Sequence, residues 1–121
     1  AAPGERTCVI ASGETTVHVV GSGKGGRNQE LALAAAEVLA TASRPVRMAS
    51  VGTDGIDGPT SAAGALADTT TLQRAAAARL APPAAFLADN NAYAFFDALD
   101  DLVMTGPSGT NVGDLQVFLL A

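Results

Sequence analysis

Apolar positions along this chain recur with two different periods, and the switches between them outline its elements. Residues 7–12, TCVIAS, form a short apolar run. Residues 15–21, TTVHVVG, alternate with period two and are rich in β-branched side chains. Both read as strands. Only Gly13 and Glu14 separate them, which predicts a tight antiparallel hairpin. Residues 28–43, NQELALAAAEVLATAS, place Leu31, Leu33, Ala35, Val38 and Leu39 on a broad apolar helical face that ends near Ser43 and Pro45. VRMASVG at 46–52 is the next strand, and Ala62 to Leu66 suit either a strand or a short helix. TLQRAAAARL at 71–80 reads as a helix stopped by Pro82 and Pro83. NAYAFFDAL at 91–99 reads as another, with Asn90 or Asn91 as its N-cap. DLVM at 101–104 and LQVFLLA at 115–121 complete the series as strands.

This succession predicts an α/β fold: a mixed β-sheet flanked by helices in a three-layer α/β/α arrangement, with glycine-rich loops at strand ends. No repeat or linker interrupts the pattern, so residues 1–121 read as a single domain. The loops at 22–28, 53–60 and 105–114 each follow a strand. Sites in open α/β sheets gather at such ends, so these loops and residues 13–14 are expected to meet.

Composition narrows the function classes. Of the 121 residues, 48% are apolar and 16% charged, which excludes a disordered chain. Aromatic residues are 4% and Trp is absent, so the core must be built from small and aliphatic side chains. A net charge of −5 argues against nucleic-acid binding and gives weight to each Lys or Arg near a glycine loop. One cysteine, Cys8, excludes an internal disulfide and a Cys-rich metal site, and its strand context predicts a buried, inert thiol. No stretch approaches the roughly 20 apolar residues of a membrane span, and no signal peptide is visible; a cytoplasmic protein with no membrane partner is the expectation. The start at Ala1 suits an excised domain or a processed chain.

The first loop, VVGSGKGGRNQELALA at 19–34, carries Gly21, Gly23 and Gly26 at the spacing of a dinucleotide fingerprint. That motif requires an acidic residue at the end of the next parallel strand, and VRMASV ends without one. As a Walker A loop it has Arg27 and Asn28 where Lys and Ser or Thr are required. The more general expectation is an anion site. Gly25 and Gly26 lead into the first turn of a helix, and Lys24 and Arg27 add positive charge. Arg27 offers a planar fork to a phosphate or carboxylate. Plain solvation of both cations on a mobile turn is the alternative.

In the second loop, Asp54 and Asp57 stand among glycines. They suit Mg²⁺ held through water or a general base, and equally suit ordinary Asp-Gly turns. The third loop, TGPSGTNVGD at 105–114, offers hydroxyls such as Thr110, backbone N–H groups and Asn111 to an oxyanion pocket, or is a plain surface loop. Glu14 at the hairpin tip either faces the same cleft or is solvated. His18, mid-strand with no partner in sequence, reads as packing or surface.

Taken in order, SGETTVHV, GKGGRNQELAL, GTDGIDGPT, AAGA and TGPSGTNVGDL resemble the C-terminal (MOFRL) domain of the two-domain glycerate 2-kinases, some of which carry the older label hydroxypyruvate reductase. The resemblance runs from about Cys8 to Ala121. It implies that the chain is the C-terminal part of a longer two-domain protein that uses ATP and Mg²⁺ to phosphorylate the 2-hydroxyl of D-glycerate. The site would lie in a cleft against a larger N-terminal Rossmann-like domain, and this part alone would be inactive. Carried over motif by motif, Arg27 is the Arg of GGRNQE, Asp54 the first Asp of GTDG and Glu14 the Glu of SGET. All three are expected in the cleft as catalytic groups, with Asp54 also the expected Mg²⁺ contact through water. Lys24, Gly25, Gly26, Asn28, Asp57, Thr110 and Asn111 are the expected substrate and phosphate contacts. The chain departs from the family at Ala11-Ser12, at Ser61, and at Ser108 and Gly113 in the last loop. Two other readings stay open: an NAD(P)H-dependent hydroxypyruvate reductase, and a non-catalytic module that binds an anion or a partner.

Overall fold

The structure, a computed structural model, describes residues 5–13 and 16–121. Its elements are β1 (Thr7–Gly13), α1 (Arg27–Leu39), β2 (Val46–Gly52), β3 (Gly64–Asp68), α2 (Thr71–Ala77), α3 (Pro83–Ala88), α4 (Ala92–Leu99), β4 (Leu102–Val103) and β5 (Asp114–Leu120). The strands form one sheet in the order β1-β5-β2-β3-β4, flanked by helices as the α/β reading requires. Each of its pairings is antiparallel, where the pattern had suggested a mixed sheet.

Alternation along the strands sorts the two faces. Met48 on β2 and Ala65 and Ala67 on β3 point toward the helices and join Ala32, Leu33, Ala36, Ala75, Ala92, Phe95 and Phe96 in one core. Alanine dominates both sides of this contact, which lets helix and sheet backbones approach closely. Phe95 supplies the bulk, stacked edge-to-face on Phe86 at 5.3 Å and on Phe96 at 5.2 Å between ring centroids. The opposite face, where a second helical layer would complete the three-layer arrangement, is open among the described residues. Ile10 is 67% exposed there, Leu119 52% and Leu66 44%.

Several local expectations change. Residues 16–20 form no strand, and the partner of β1 is β5, not a hairpin mate. The reason is competition for backbone donors: Asn90 Oδ1 accepts from the Val20 and Gly21 N–H groups at 2.8 and 2.9 Å, where a strand would offer them to a ladder. Ala62 to Leu66 resolves as strand from Gly64 onward. Pro83 does not end a helix but begins α3, at a first-turn position where its missing N–H costs nothing. The buried stripe of α1 is Asn28, Gln29, Ala32, Leu33, Ala36 and Leu39, whereas Val38 is 71% exposed. Cys8 is exposed rather than buried. Among the described residues no helix is long and apolar enough to cross a membrane.

Candidate functional site

Register brings the loops together. Asp114, the first residue of β5, pairs with Gly13 at the end of β1 on one side and with Gly52 at the end of β2 on the other. The row Gly13–Asp114–Gly52 therefore marks where the chain leaves β1, where the second loop leaves β2, and where the third loop returns. Arg27, the first residue of α1, reaches the same row. Its Nε donates to Asp114 Oδ2 at 2.6 Å and its Nη2 to Asp114 Oδ1 at 3.0 Å, a two-point fork. Asp114 is 2% exposed and the Arg27 side chain 39%. Glu14 follows Gly13 directly and lies outside the described residues.

The first glycine loop is laid on the turn between α3 and α4. There Asp89, Asn90 and Asn91 present successive acceptors. Besides the two bonds to Asn90, Ser22 N–H donates to Asp89 Oδ1, Gly23 N–H to the Asp89 carbonyl at 2.8 Å, and Lys24 N–H to Asn91 Oδ1. Side chains at Gly21 and Gly23 would collide with Asp89 and Asn91, so the glycines serve close approach to this turn. Asn90 is itself in the left-handed region, φ 53°, which asparagine tolerates better than most residues. Its Nδ2 donates to Glu30 Oε1 at 2.7 Å, tying the turn to α1. The N–H groups of residues 20–24 are thus already engaged. Gly25 and Gly26 donate to no acceptor among the described residues. Lys24 holds its Nζ 4.9 Å from the Tyr93 ring centroid, a cation–π contact, on an exposed surface.

Asp57 takes a different place from the one expected of a ligand contact. It is 1% exposed, and its carboxylate caps α1 from outside: Asn28 N–H donates to Oδ1 at 3.0 Å and Gln29 N–H to Oδ2 at 2.8 Å. Asn28, 2% exposed, adds its Nδ2 to the same carboxylate at 3.2 Å and accepts from Ser50 Oγ at 2.8 Å. Both residues therefore form the floor beneath the loops. Gly26 has no side chain because a methyl group there would overlap the Asp57 carboxylate. The helix N-terminus expected to receive an external anion is, at its second and third positions, already served by the protein's own.

The second and third loops are laced together. Thr53 N–H and Oγ1 both donate to the Gly113 carbonyl, at 3.0 and 2.7 Å, and Val112 N–H donates to Thr53 Oγ1 at 2.9 Å. Ser108 Oγ donates to the Thr53 carbonyl at 2.6 Å, and Ser108 N–H to the Asp54 carbonyl. A side chain at Gly55 would strike the Gly106 carbonyl. Asp54 is half-buried, its Oδ1 accepting from Ile56 N–H at 3.0 Å in an Asx turn. Asn111 makes the same kind of turn, accepting from Gly113 N–H at 3.1 Å, and Asn111 and Thr110 are exposed.

Of the expected site residues, Asp54, Lys24, Gly25, Gly26, Thr110 and Asn111 lie on loops bordering one end of the sheet, and Arg27 opens α1 beside them. Asn28 and Asp57 lie under it. His18 is exposed, and its carbonyl accepts weakly from Asn90 Nδ2 at 3.4 Å. Asp114 and Asn90 escaped the sequence reading. The signal for Asp114 was a lone carboxylate at a loop-to-strand boundary, and that for Asn90 an Asn-Asn pair read only as a helix cap. Among the described residues no three His, Cys, Asp or Glu side chains cluster to hold a metal ion. A groove of about 570 Å³ lies elsewhere, on the open sheet face, bordered by Arg47, Leu66, Asp68, Arg74 and Leu119. Burial raises Asp68 there, but hydrogen bonds from the Thr70 hydroxyl and N–H and the charges of Arg74 and Arg47 outweigh it and hold the carboxyl below its ordinary 3.8.

Comparison with known proteins gives this geometry a family. Residues 7–114 match the MOFRL family. The chain is 46% identical over 112 residues to the D-glycerate 2-kinase of Thermotoga maritima, covering 93% of this chain and 26% of that protein. It is 47% identical over 119 residues to the glycerate kinase of Homo sapiens, covering 93% and 23%. The crystal structure of the Thermotoga maritima glycerate kinase superposes with a TM-score of 0.88 at 46% identity, over 94% of this chain and 27% of that one. A Pyrococcus horikoshii protein superposes with a TM-score of 0.86 at 35% identity, over 94% and 26%. The chain thus spans about a quarter of the length of these relatives. It belongs to the MOFRL family.

Proposed function

We propose that this chain supplies one wall of the active site of a glycerate 2-kinase, which transfers the γ-phosphoryl group of ATP to the 2-hydroxyl of D-glycerate. The observation that carries this reading is the convergence of three loops on the row Gly13–Asp114–Gly52, with Arg27 held at that row. Phosphoryl transfer asks a protein for positioning and charge neutralisation more than for covalent chemistry, and the loops offer both. Arg27 neutralises the transferred phosphoryl group or the glycerate carboxylate, assisted by Lys24 and by the N–H groups of Gly25 and Gly26. Thr110 and Asn111 contribute polar contacts from the facing loop, and Glu14 belongs to the same cleft. Asp54 receives the 2-hydroxyl proton or contacts Mg²⁺ through water. A half-buried single carboxylate fits that ion, which keeps several waters and takes the rest of its ligands from phosphate. When bound, Mg²⁺ supplies charge neutralisation on the phosphates.

The opposite wall is the part of the protein that its relatives have and this chain does not span. We assign that wall to a Rossmann-like N-terminal domain, and expect the isolated chain to be inactive and the whole enzyme to work in the cytoplasm. The test is D-glycerate-dependent ADP release by the intact protein. Arg27→Ala should lower turnover by at least about 100-fold, the scale of losing one transition-state charge partner. A loss below tenfold would remove Arg27 from the mechanism. NADH oxidation with hydroxypyruvate, in place of ADP release, would replace the kinase reading by the reductase one.

A further inference from the structure

Asp114 has no place in the site as read from the motifs, yet it is the most constrained charge at the row of strand ends. It is 2% exposed, and a buried carboxylate is costly unless paired and hydrogen-bonded. Its partner is Arg27, through two contacts of 2.6 and 3.0 Å to Nε and Nη2. Two contacts along one edge of a planar guanidinium fix both its direction and its tilt. The backbone of Asp114 is itself pinned, with β1 on one side and β2 on the other. The carboxylate thus inherits the rigidity of the sheet and passes it to an arginine whose side chain is still 39% exposed. If cohesion were the only requirement, well-packed apolar residues would serve as well or better.

We propose that Asp114 is a positioning residue for phosphoryl transfer. It touches no substrate, and it sets the plane and direction of the Arg27 guanidinium relative to the strand ends that lead to Glu14 and Asp54. This inference rests on the kinase reading above. It adds that the cation at this site acts as an oriented fork and not as a diffuse charge, so the anionic group it receives is a planar or tetrahedral oxyanion met in one geometry.

The test is a double-mutant cycle on the intact protein, reading kcat/KM for D-glycerate and the thermal midpoint of each variant. Asp114→Asn should lower kcat/KM by about 10- to 100-fold, the scale of a misplaced reacting geometry. Arg27→Lys, which keeps the charge but cannot form the fork, should lose a similar factor. In the Arg27→Lys background, Asp114→Asn should then change kcat/KM by less than about threefold, because the interaction it removes is already gone. If Asp114→Asn does not fold, Asp114→Glu, which keeps the charge and displaces it, takes its place in the cycle with the same expectation. Retention of kcat/KM within about threefold when Asp114 alone is changed overturns the proposal. So does an equal loss in both backgrounds, which would mean that Asp114 acts on something other than Arg27. An inactive parent protein sinks the kinase reading itself and this inference with it, an outcome distinct from either of those.

Discussion

Replacing Asp57 by alanine removes the acceptor from three donors at once: the N–H groups of Asn28 and Gln29 and the Asn28 side-chain amide. All three lie in the floor beneath the loops, where Asn28 and Gln29 are 2% and 0% exposed. A buried donor left without an acceptor costs about 1–3 kcal/mol, and loss of a carboxylate at a helix N-terminus adds roughly 0.3–1 kcal/mol. Some donors would recover a water in the space vacated. The net expectation for Asp57→Ala is about 3–5 kcal/mol of lost stability, a large share of the roughly 5–15 kcal/mol of a typical domain. Asp57→Asn should cost about 2–3 kcal/mol, because an amide oxygen still serves one donor while its NH₂ faces another. Urea unfolding of the 121-residue chain, followed by far-ultraviolet circular dichroism, measures both. A shift below about 1 kcal/mol for Asp57→Ala would refute the view that this carboxylate caps the helix from outside. It would also return Asp57 to the set of ligand contacts.

Asn90→Ala should destabilise by about 2–4 kcal/mol, since it removes bonds to Val20, Gly21 and Glu30 and strains a left-handed backbone; Asn90→Gly should cost about 1 kcal/mol less, and equal costs would deny the strain contribution. Asp68 gives a pH prediction. Its folded-state carboxyl titrates below 3.8, so its contribution is present above that pH and is lost as the pH falls through the lower, folded value. Thermal melts between pH 5 and pH 2, about the span over which a depressed carboxylate titrates, should show a shallower acid decline in Asp68→Asn than in the parent; parallel declines would contradict the assignment.

Much of this architecture was legible because the signals were local. The short apolar runs of β2 and β5 and the apolar spacing of α4 announce themselves within a few residues. The loops were legible through glycine, whose clusters mark places where backbones must approach closely. What failed was whatever depended on a partner distant in sequence. The run at 15–21 alternates like a strand, but Asn90, some 70 positions away, takes its donors at Val20 and Gly21. Val38 fits the helical period as well as Ala32 does, and only the position of the sheet decides which of them is buried. Asp54 and Asp57 are indistinguishable as members of one Asp-Gly loop, yet one is half-buried at its border and the other is sealed under α1. Asp114 ends a motif without being part of the motif's apparent chemistry, and its meaning appears only when β5 is threaded between β1 and β2.

The central claim is that these loops serve phosphoryl transfer to a small hydroxy acid, and the most direct measurement is of the product. The intact protein incubated with ATP, Mg²⁺ and D-glycerate, and analysed by ³¹P NMR, should yield ADP and 2-phosphoglycerate in equal amounts. Both should form at least about 100-fold more slowly when Arg27 is replaced by alanine. Formation of 3-phosphoglycerate would keep the kinase but move the acceptor hydroxyl. A folded protein that yields no phosphorylated glycerate would contradict the account.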